Sequence, residues 1–237
     1  RKDWNGKEVT QEAIDYLAKV SSGDARRALT LLEAAAAQSE TAIDLAVAKS
    51  ASEIAIAYDA TGDAHYDTIS AFIKSVRGSD VDSAIHYLAR MIAGGEDPRF
   101  IARRLMILAA EDIGLADPNA LVIASAGADV VERIGMPEGR IPLAEVTIYL
   151  ATAPKSNRAY LAINQALAEL ETGTVPAVPA PLRSTGAVGY QYPHDDARGI
   201  LKQKYSELSN RLYEPSNHGF EKTVTERLKA IREILEG

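Results

Sequence analysis

The sequence predicts an all-α protein, and three observations carry that prediction. Aromatic residues make up only 6% of the chain while hydrophobic residues reach 46%, a balance dominated by alanine and leucine, which favour helix over sheet. Apolar residues recur three and four positions apart along most of the chain. The periodic stretches are punctuated by Asp-Pro, Ser-Asn and Gly-Gly, residues that begin and end helices. The 237 residues make room for one large domain or two smaller ones.

The segment from Val9 to Val20 places Ala13, Ile14, Leu17 and Ala18 in step and predicts a short amphipathic helix. Asp24 is an N-cap for a second helix reaching about Gln38, with Ala28, Leu29, Leu32 and Ala36 on one face. Arg26 and Arg27 fall in its first turn, where the helix dipole is positive and a cation costs roughly 0.3–1 kcal/mol. An anion such as a nucleotide phosphate would offset that cost. A capped surface helix whose arginines pair with solvent or a nearby acid is the other reading. From Ile43 to Tyr58 the pattern is mixed, and both a short extended segment and a further helix fit it.

Six helices follow. Tyr66, Ile69, Phe72, Ile73 and Val76 form the stripe of the first, which ends at Gly78. Asp80 or Asp82 caps the second, carrying Ala84, Ile85, Leu88, Met91 and Ile92 and stopped by Gly94-Gly95. Asp97-Pro98 opens the third, with Ile101, Leu105, Leu108 and Ala109, ended by Gly114. Asp117-Pro118 opens the fourth, Pro142 the fifth, and Ser156 or Asn157 caps the sixth, whose inward stripe is Tyr160, Ile163, Leu167 and Leu170. Together they predict a bundle or short helical array. Pro176, Pro179 and Pro181 then break the periodicity and mark an extended linker. An aperiodic tail rich in Tyr, Pro, Gly and His runs from Leu182 to Asn217, and Phe220 to Leu235 is a final helix.

Several chemistries are excluded. Without cysteine there are no disulfides, thiolate zinc sites or thiol nucleophiles. His65, His86, His194 and His218 lack metal-ligand spacing, so no metal site is expected. No Gly-x4-Gly-Lys-Ser/Thr loop occurs. Glu111-Asp112 follows an apolar run, but in helical spacing, and reads as a pair of helix C-terminal acids tied to arginines such as Arg103 or Arg104. Tyr192, His194 and Asp195 are all that supports an enzyme site in the tail. The net charge of −7 argues against a broadly basic nucleic-acid domain but leaves local clusters. Lys74 with Arg77, Arg103 with Arg104, and Lys155 with Arg158 are candidate contacts to DNA or to another subunit. Helix-end complementation and solvated faces account for the same residues. No apolar run spans a bilayer, no signal peptide opens the chain, and the start at Arg1 reads as the interior of a longer protein. A cytoplasmic, nucleoid-associated location without membrane contact is the expectation.

Gly23-Asp24-Ala25-Arg26-Arg27-Ala28-Leu29 resembles the sensor-2 motif of the AAA+ ATPase lid. It is followed in order by Gly62-Asp63-Ala64-His65-Tyr66-Asp67, Lys74-Ser75-Val76-Arg77-Gly78-Ser79, Gly95-Glu96-Asp97-Pro98, Glu111-Asp112-Ile113-Gly114-Leu115-Ala116-Asp117-Pro118 and Ala153-Pro154-Lys155-Ser156-Asn157. Tyr192-Pro193-His194-Asp195, Tyr213-Glu214-Pro215 and Gly219-Phe220-Glu221 complete the succession. It resembles, over nearly the whole chain, the C-terminal region of the replication-associated recombination protein A (RarA, or MgsA) family of clamp-loader-like AAA+ ATPases.

That resemblance implies the end of an AAA+ lid over 1–45, a connector over 46–61, a helical collar for oligomerisation over 62–171, and a linker, tail and final helix over 172–237. It implies that Arg26 is the sensor-2 arginine, supported by Gly23 and Asp24. It also implies a homotetramer, and single-stranded or branched DNA and replication proteins as partners of the parent. ATP and magnesium belong to that parent, and no cofactor and no catalytic residue are expected in this chain. A DNA-binding helical module built on the basic clusters is the alternative. Between Arg183 and Tyr192 the chain is shorter than the family pattern, with Ser184-Thr185-Gly186 in place of a longer basic segment.

Overall fold

The computed structural model of the protein describes residues 3–4, 6–21, 25–59, 62–171, 173, 175–185, 188–208 and 210–236. Ten α-helices are found among these residues, and the fold is all-α as expected. The chain divides into two compact units. One comprises Arg1–Ala109 and Asn119–Ala153, the other Ala110–Pro118 and Pro154–Gly237.

The first unit opens on a small sheet of three strands, β1 (Asp3–Trp4), β2 (Lys7–Val9) and β3 (Ala42–Ile43). The central β2 pairs antiparallel with β1, Trp4 opposite Lys7, and parallel with β3, Val9 opposite Ile43. Helices α1 (Gln11–Val20), α2 (Ala25–Gln38) and α3 (Leu45–Asp59) pack around it. Thr10 caps α1 by accepting from the Ala13 N–H at 3.3 Å, and Asp44 starts α3 by accepting from the Val47 N–H at 2.9 Å. Both readings of Ile43–Tyr58 are therefore realised, an extended pair at β3 and then a helix. The shared core holds Val9, Ala13, Leu17, Leu31, Ala34, Ala35, Ile43, Ala48 and Ala51.

On α2 the buried face differs from the expected one. Leu31, Ala34 and Ala35 point inward with Ala36, while Leu29 stands exposed. The helix is apolar at so many positions that its periodicity defines no single face, and packing against α3 chooses one.

Five further helices complete this unit: α4 (Gly62–Arg77), α5 (Val81–Ala93), α6 (Pro98–Leu108), α7 (Asn119–Ile134) and α8 (Arg140–Thr152). Asp80 caps α5 by accepting from the Ser83 N–H at 3.0 Å, and Asp97 caps α6 by accepting from the Arg99 N–H at 2.9 Å, with Pro98 in the first turn. Helix α4 packs on α5, α6 packs on α7, and α8 contacts α4, α5, α6 and α7. Leu143, Val146, Leu150 and Ala151 of α8 are buried, and the buried Thr147 hydroxyl donates to the Leu143 carbonyl at 2.7 Å. Pro142 sits in the first turn of α8, where no intrahelical N–H donor is required.

The second unit begins where α6 widens into a π-helical turn, Ala109–Ile113, followed by a 3-10 turn, Gly114–Ala116. The helix predicted to run from Pro98 to Gly114 thus changes hydrogen-bond register at Ala109. Helix α9 (Arg158–Glu171), 3-10 turns at Ala180–Leu182 and Pro193–Asp195, and α10 (Glu221–Glu236) follow. Helix α9 has no buried residue, so the stripe expected to face a bundle is exposed instead. None of its fourteen residues is buried by the described residues.

The approach of α7 to α8 is set by Gly127, where an added Cβ would lie 2.4 Å from Val146 Cγ2. Gly127→Ala is expected to lower stability by about 1–3 kcal/mol through overpacking, although alanine is intrinsically the better helix former. Adding Val146→Ala should return part of the loss. Urea denaturation midpoints of the two single variants and the double variant check this, and additive losses would contradict it.

Candidate functional site

The lid-like elements come first. Arg26 occupies the first turn of α2, while Gly23, Asp24 and the side chain of Arg26 lie outside the described residues. The far end of α2 is held by Lys7, whose ammonium donates to the carbonyls of Ala36 at 2.5 Å and Ser39 at 2.7 Å. A cation there satisfies the orphan acceptors of the helix end. Thr30 and Glu33 of α2, Glu96 and Asp97 of the α5–α6 turn, and Met136 and Pro137 of the α7–α8 turn line a cavity of about 550 Å³. Gly95 closes one side at φ +79°, and a Cβ there would lie 2.7 Å from Thr30 Cγ2. At the cavity rim Arg99 pairs with Asp97 at 3.2 Å. Burial alone would raise the Asp97 carboxyl, but its hydrogen bonds from Arg99 outweigh that and hold it below its ordinary value.

The basic candidates fall on both compact units. Lys74 and Arg77 are exposed in the last turn of α4, where they complement the helix C-terminus. On α6, Arg103 is exposed with its guanidinium 5.7 Å from the centre of the Phe100 ring. Arg104 is half-buried, and its Nε has no hydrogen-bond partner among the described residues. Lys155 and Arg158 belong to the second unit, at the start of α9. Arg158 is exposed. Lys155 is drawn inward, and burial depresses its pKa against the opposing charge of Asp112. Asp112 therefore faces Lys155, a partner that its sequence position did not suggest.

The best-built arrangement in the second unit was not visible as a site in the sequence. The carboxylate of Glu221, in the first turn of α10, is 1% exposed. It accepts from the Ser156 hydroxyl at 2.6 Å, the Tyr213 hydroxyl at 2.8 Å and the Ser216 N–H at 2.8 Å. The Ser156 hydroxyl in turn accepts from the Arg158 N–H at 3.3 Å, and its own N–H donates to the Asp112 carbonyl at 2.8 Å. His218 donates through Nδ1 to the Lys155 carbonyl at 2.7 Å. Gly219 lets the chain pass: a Cβ there would lie 2.0 Å from the Ala116 carbonyl oxygen, beside the bond from the Phe220 N–H to that oxygen at 2.8 Å. The Ser156 and Arg158 amides at the start of α9 are thus engaged within the protein. Burial raises the Tyr213 pKa, and the Glu221 carboxylate raises it further. In the tail, Tyr192 and His194 bring their rings to 5.1 Å, and both are exposed. No group of three His, Asp or Glu among the described residues is placed to hold a metal ion.

Comparison with known proteins supplies the family. A family model described as MgsA AAA+ ATPase C terminal matches residues 78–232. The chain belongs to the MgsA AAA+ ATPase family. A second model, described as AAA C-terminal domain, matches residues 4–77, so the two meet at the turn that ends α4. An uncharacterized AAA domain-containing protein of Mycobacterium tuberculosis is 50% identical over 96% of this chain and 54% of its own length. Replication-associated recombination protein A of Bacillus subtilis is 42% identical, with 86% of this chain and 53% of its own covered. The Escherichia coli K12 protein of the same name is 37% identical, with 95% and 55% covered. The chain spans about half the length of the curated relatives it matches. In this MgsA-family chain the α2 segment that resembles sensor-2 falls within the AAA C-terminal match, and the Glu221 node falls within the MgsA match.

Burial alone would raise the Glu221 pKa, yet its hydrogen bonds from Ser156, Ser216 and Tyr213 hold it below the ordinary value of 4.5. The stabilisation it contributes is therefore fully present above that value and is lost as pH falls through the lower folded value. Thermal melts from pH 7 to pH 3 should show an acid-side decline that is smaller in Glu221→Gln. Tyr213→Phe should cost about 1.5–3 kcal/mol at pH 7, as expected for a hydrogen bond to a charged acceptor. A Tyr213→Phe protein as stable as the wild type would remove the node from the account.

Proposed function

We propose that this chain is the C-terminal oligomerisation and interaction region of an AAA+ ATPase acting in replication-associated recombination. The observation that carries this reading is α9. Fourteen residues form a helix with none of them buried, while Tyr160, Ile163, Leu167 and Leu170 are 44%, 56%, 51% and 49% exposed. Isolated helices shorter than about 12–15 residues are marginal in water, and most helical stability comes from packing an apolar face. A contiguous exposed apolar stripe marks an interaction surface. The names of the relatives support the setting in replication-associated recombination.

On this reading Arg26 acts as the nucleotide sensor of the parent ATPase, and the chain itself carries no hydrolysis. On the same reading ATP and magnesium belong to the parent. The phosphate-cradling Gly-x4-Gly-Lys-Ser/Thr loop does not occur in the sequence, and the described carboxylates form no cluster for a metal. No step is assigned to them. A homotetrameric parent that engages single-stranded or branched DNA and replication proteins in the nucleoid completes the proposal. No described helix is long and apolar enough to cross a membrane.

The expected outcome is self-association of the protein at tens of micromolar, read by size-exclusion chromatography with light scattering. The double substitution Ile163→Glu and Leu167→Glu should weaken it at least about 100-fold, taking roughly 1.5 kcal/mol for each buried side chain. Because both positions are exposed in the single chain, any loss of helical circular dichroism should be confined to the fourteen residues of α9. A wild-type protein that stays monomeric would overturn the reading.

A further inference from the structure

The spacing on α9 carries information beyond the presence of an apolar stripe. Tyr160, Ile163, Leu167 and Leu170 are separated by three, four and three positions, the a/d pattern of a coiled-coil seam. That spacing reads the same from either end of the helix, with its midpoint at Gln165. A second copy laid antiparallel about a two-fold axis through that midpoint sets Tyr160 against the partner's Leu170 and Ile163 against the partner's Leu167. All four side chains then meet an apolar counterpart with no change of register.

The charges along α9 choose the same direction. Its N-terminal end carries the exposed Arg158, and its C-terminal end carries Glu169 and Glu171. A parallel pair would bring basic end to basic end and acidic end to acidic end. An antiparallel pair sets each basic end beside an acidic one and aligns the two helix dipoles favourably. We propose that α9 pairs with α9 of a second copy of this chain as an antiparallel, isologous helix pair centred on Gln165. The inference rests on the oligomerisation reading and adds the surface, the direction and the symmetry. A contact of this kind closes on itself, so a tetramer built on it has dihedral rather than four-fold cyclic symmetry.

The chain contains no cysteine, which makes a direct test available. Tyr160→Cys and Leu170→Cys are made separately in the 237-residue protein, oxidised alone, and oxidised as a mixture after dilution and reconcentration. In the antiparallel pair a single substitution places its two copies about 15 Å apart along the axis, beyond disulfide reach of roughly 4.4–6.8 Å between Cα atoms. The expected result is covalent dimer in the mixture and little in either variant alone. Dimer in each variant alone means a parallel pair and overturns the proposal. No dimer in any sample, with light scattering still reporting assemblies, places the contact elsewhere and overturns it while sparing the oligomerisation reading. A wild-type protein that is monomeric ends both. If either substitution itself dissolves the assembly, nitroxide labels on Arg158→Cys decide the direction. The antiparallel pair separates them by about 21 Å along the axis, and the parallel pair sets them side by side.

Discussion

The covering of α8 is the constraint on which the first unit depends. This helix is apolar around most of its circumference, so it is stable only when other helices pack against it. Helices α4, α5, α6 and α7 cover the face that carries Leu143, Val146 and Leu150, while Ile141 and Ile148 stay exposed, and the buried Thr147 hydroxyl donates to the Leu143 carbonyl. Burial of Leu143, Val146 and Leu150 contributes about 1.5–3 kcal/mol each as an upper estimate. Once that face of α8 is covered, the α5–α6 and α7–α8 turns are fixed in space. Those turns form one wall of the cavity whose other wall is α2, the helix whose first turn holds Arg26. The position of the candidate sensor is therefore tied, through Thr30 and Gly95, to the packing of the bundle.

The second unit is organised differently. It has few buried apolar side chains, and its centre is a carboxylate. Burying an ionised Glu221 is unfavourable unless its oxygens are satisfied, and three donors from two separate stretches of chain meet that need. The node joins the start of α9, the tail near Tyr213 and the start of α10. It anchors α9 at one end only. The rest of α9 leaves its apolar residues exposed, and the proposed pairing rests on that surface.

Much of this was legible in the sequence where the signal is local. Asp80 and Asp97 cap helices because a carboxylate one residue before a helix accepts a free N–H, whatever surrounds it. The stripes of α5 and α6 matched their buried faces because polar residues on the opposite side leave one choice, and that of α4 did so except at Tyr66, which stands 71% exposed. The reading of α2 failed for the converse reason: alanines on several faces make the burial direction a matter of what packs against it. On α9 the periodicity was right and the environment was wrong, since a period tells which side chains share a face and not what that face meets. The Glu221 node had no local signal, because one of its donors, Ser156, lies 65 positions away in the chain.

The sequence by itself determined the all-α class, the helix starts and stops, and, through an ordered succession of motifs, membership of the MgsA AAA+ ATPase family. These depend on residue types and short spacings that act within a few turns of chain. Only the tertiary structure decided which faces are buried, that Lys155 turns inward while Arg158 stays out, that Gly127 and Gly219 sit at points of close approach, and that α9 is left uncovered. Those outcomes depend on contacts between residues distant in sequence, where volume, solvation and hydrogen-bond satisfaction are settled together.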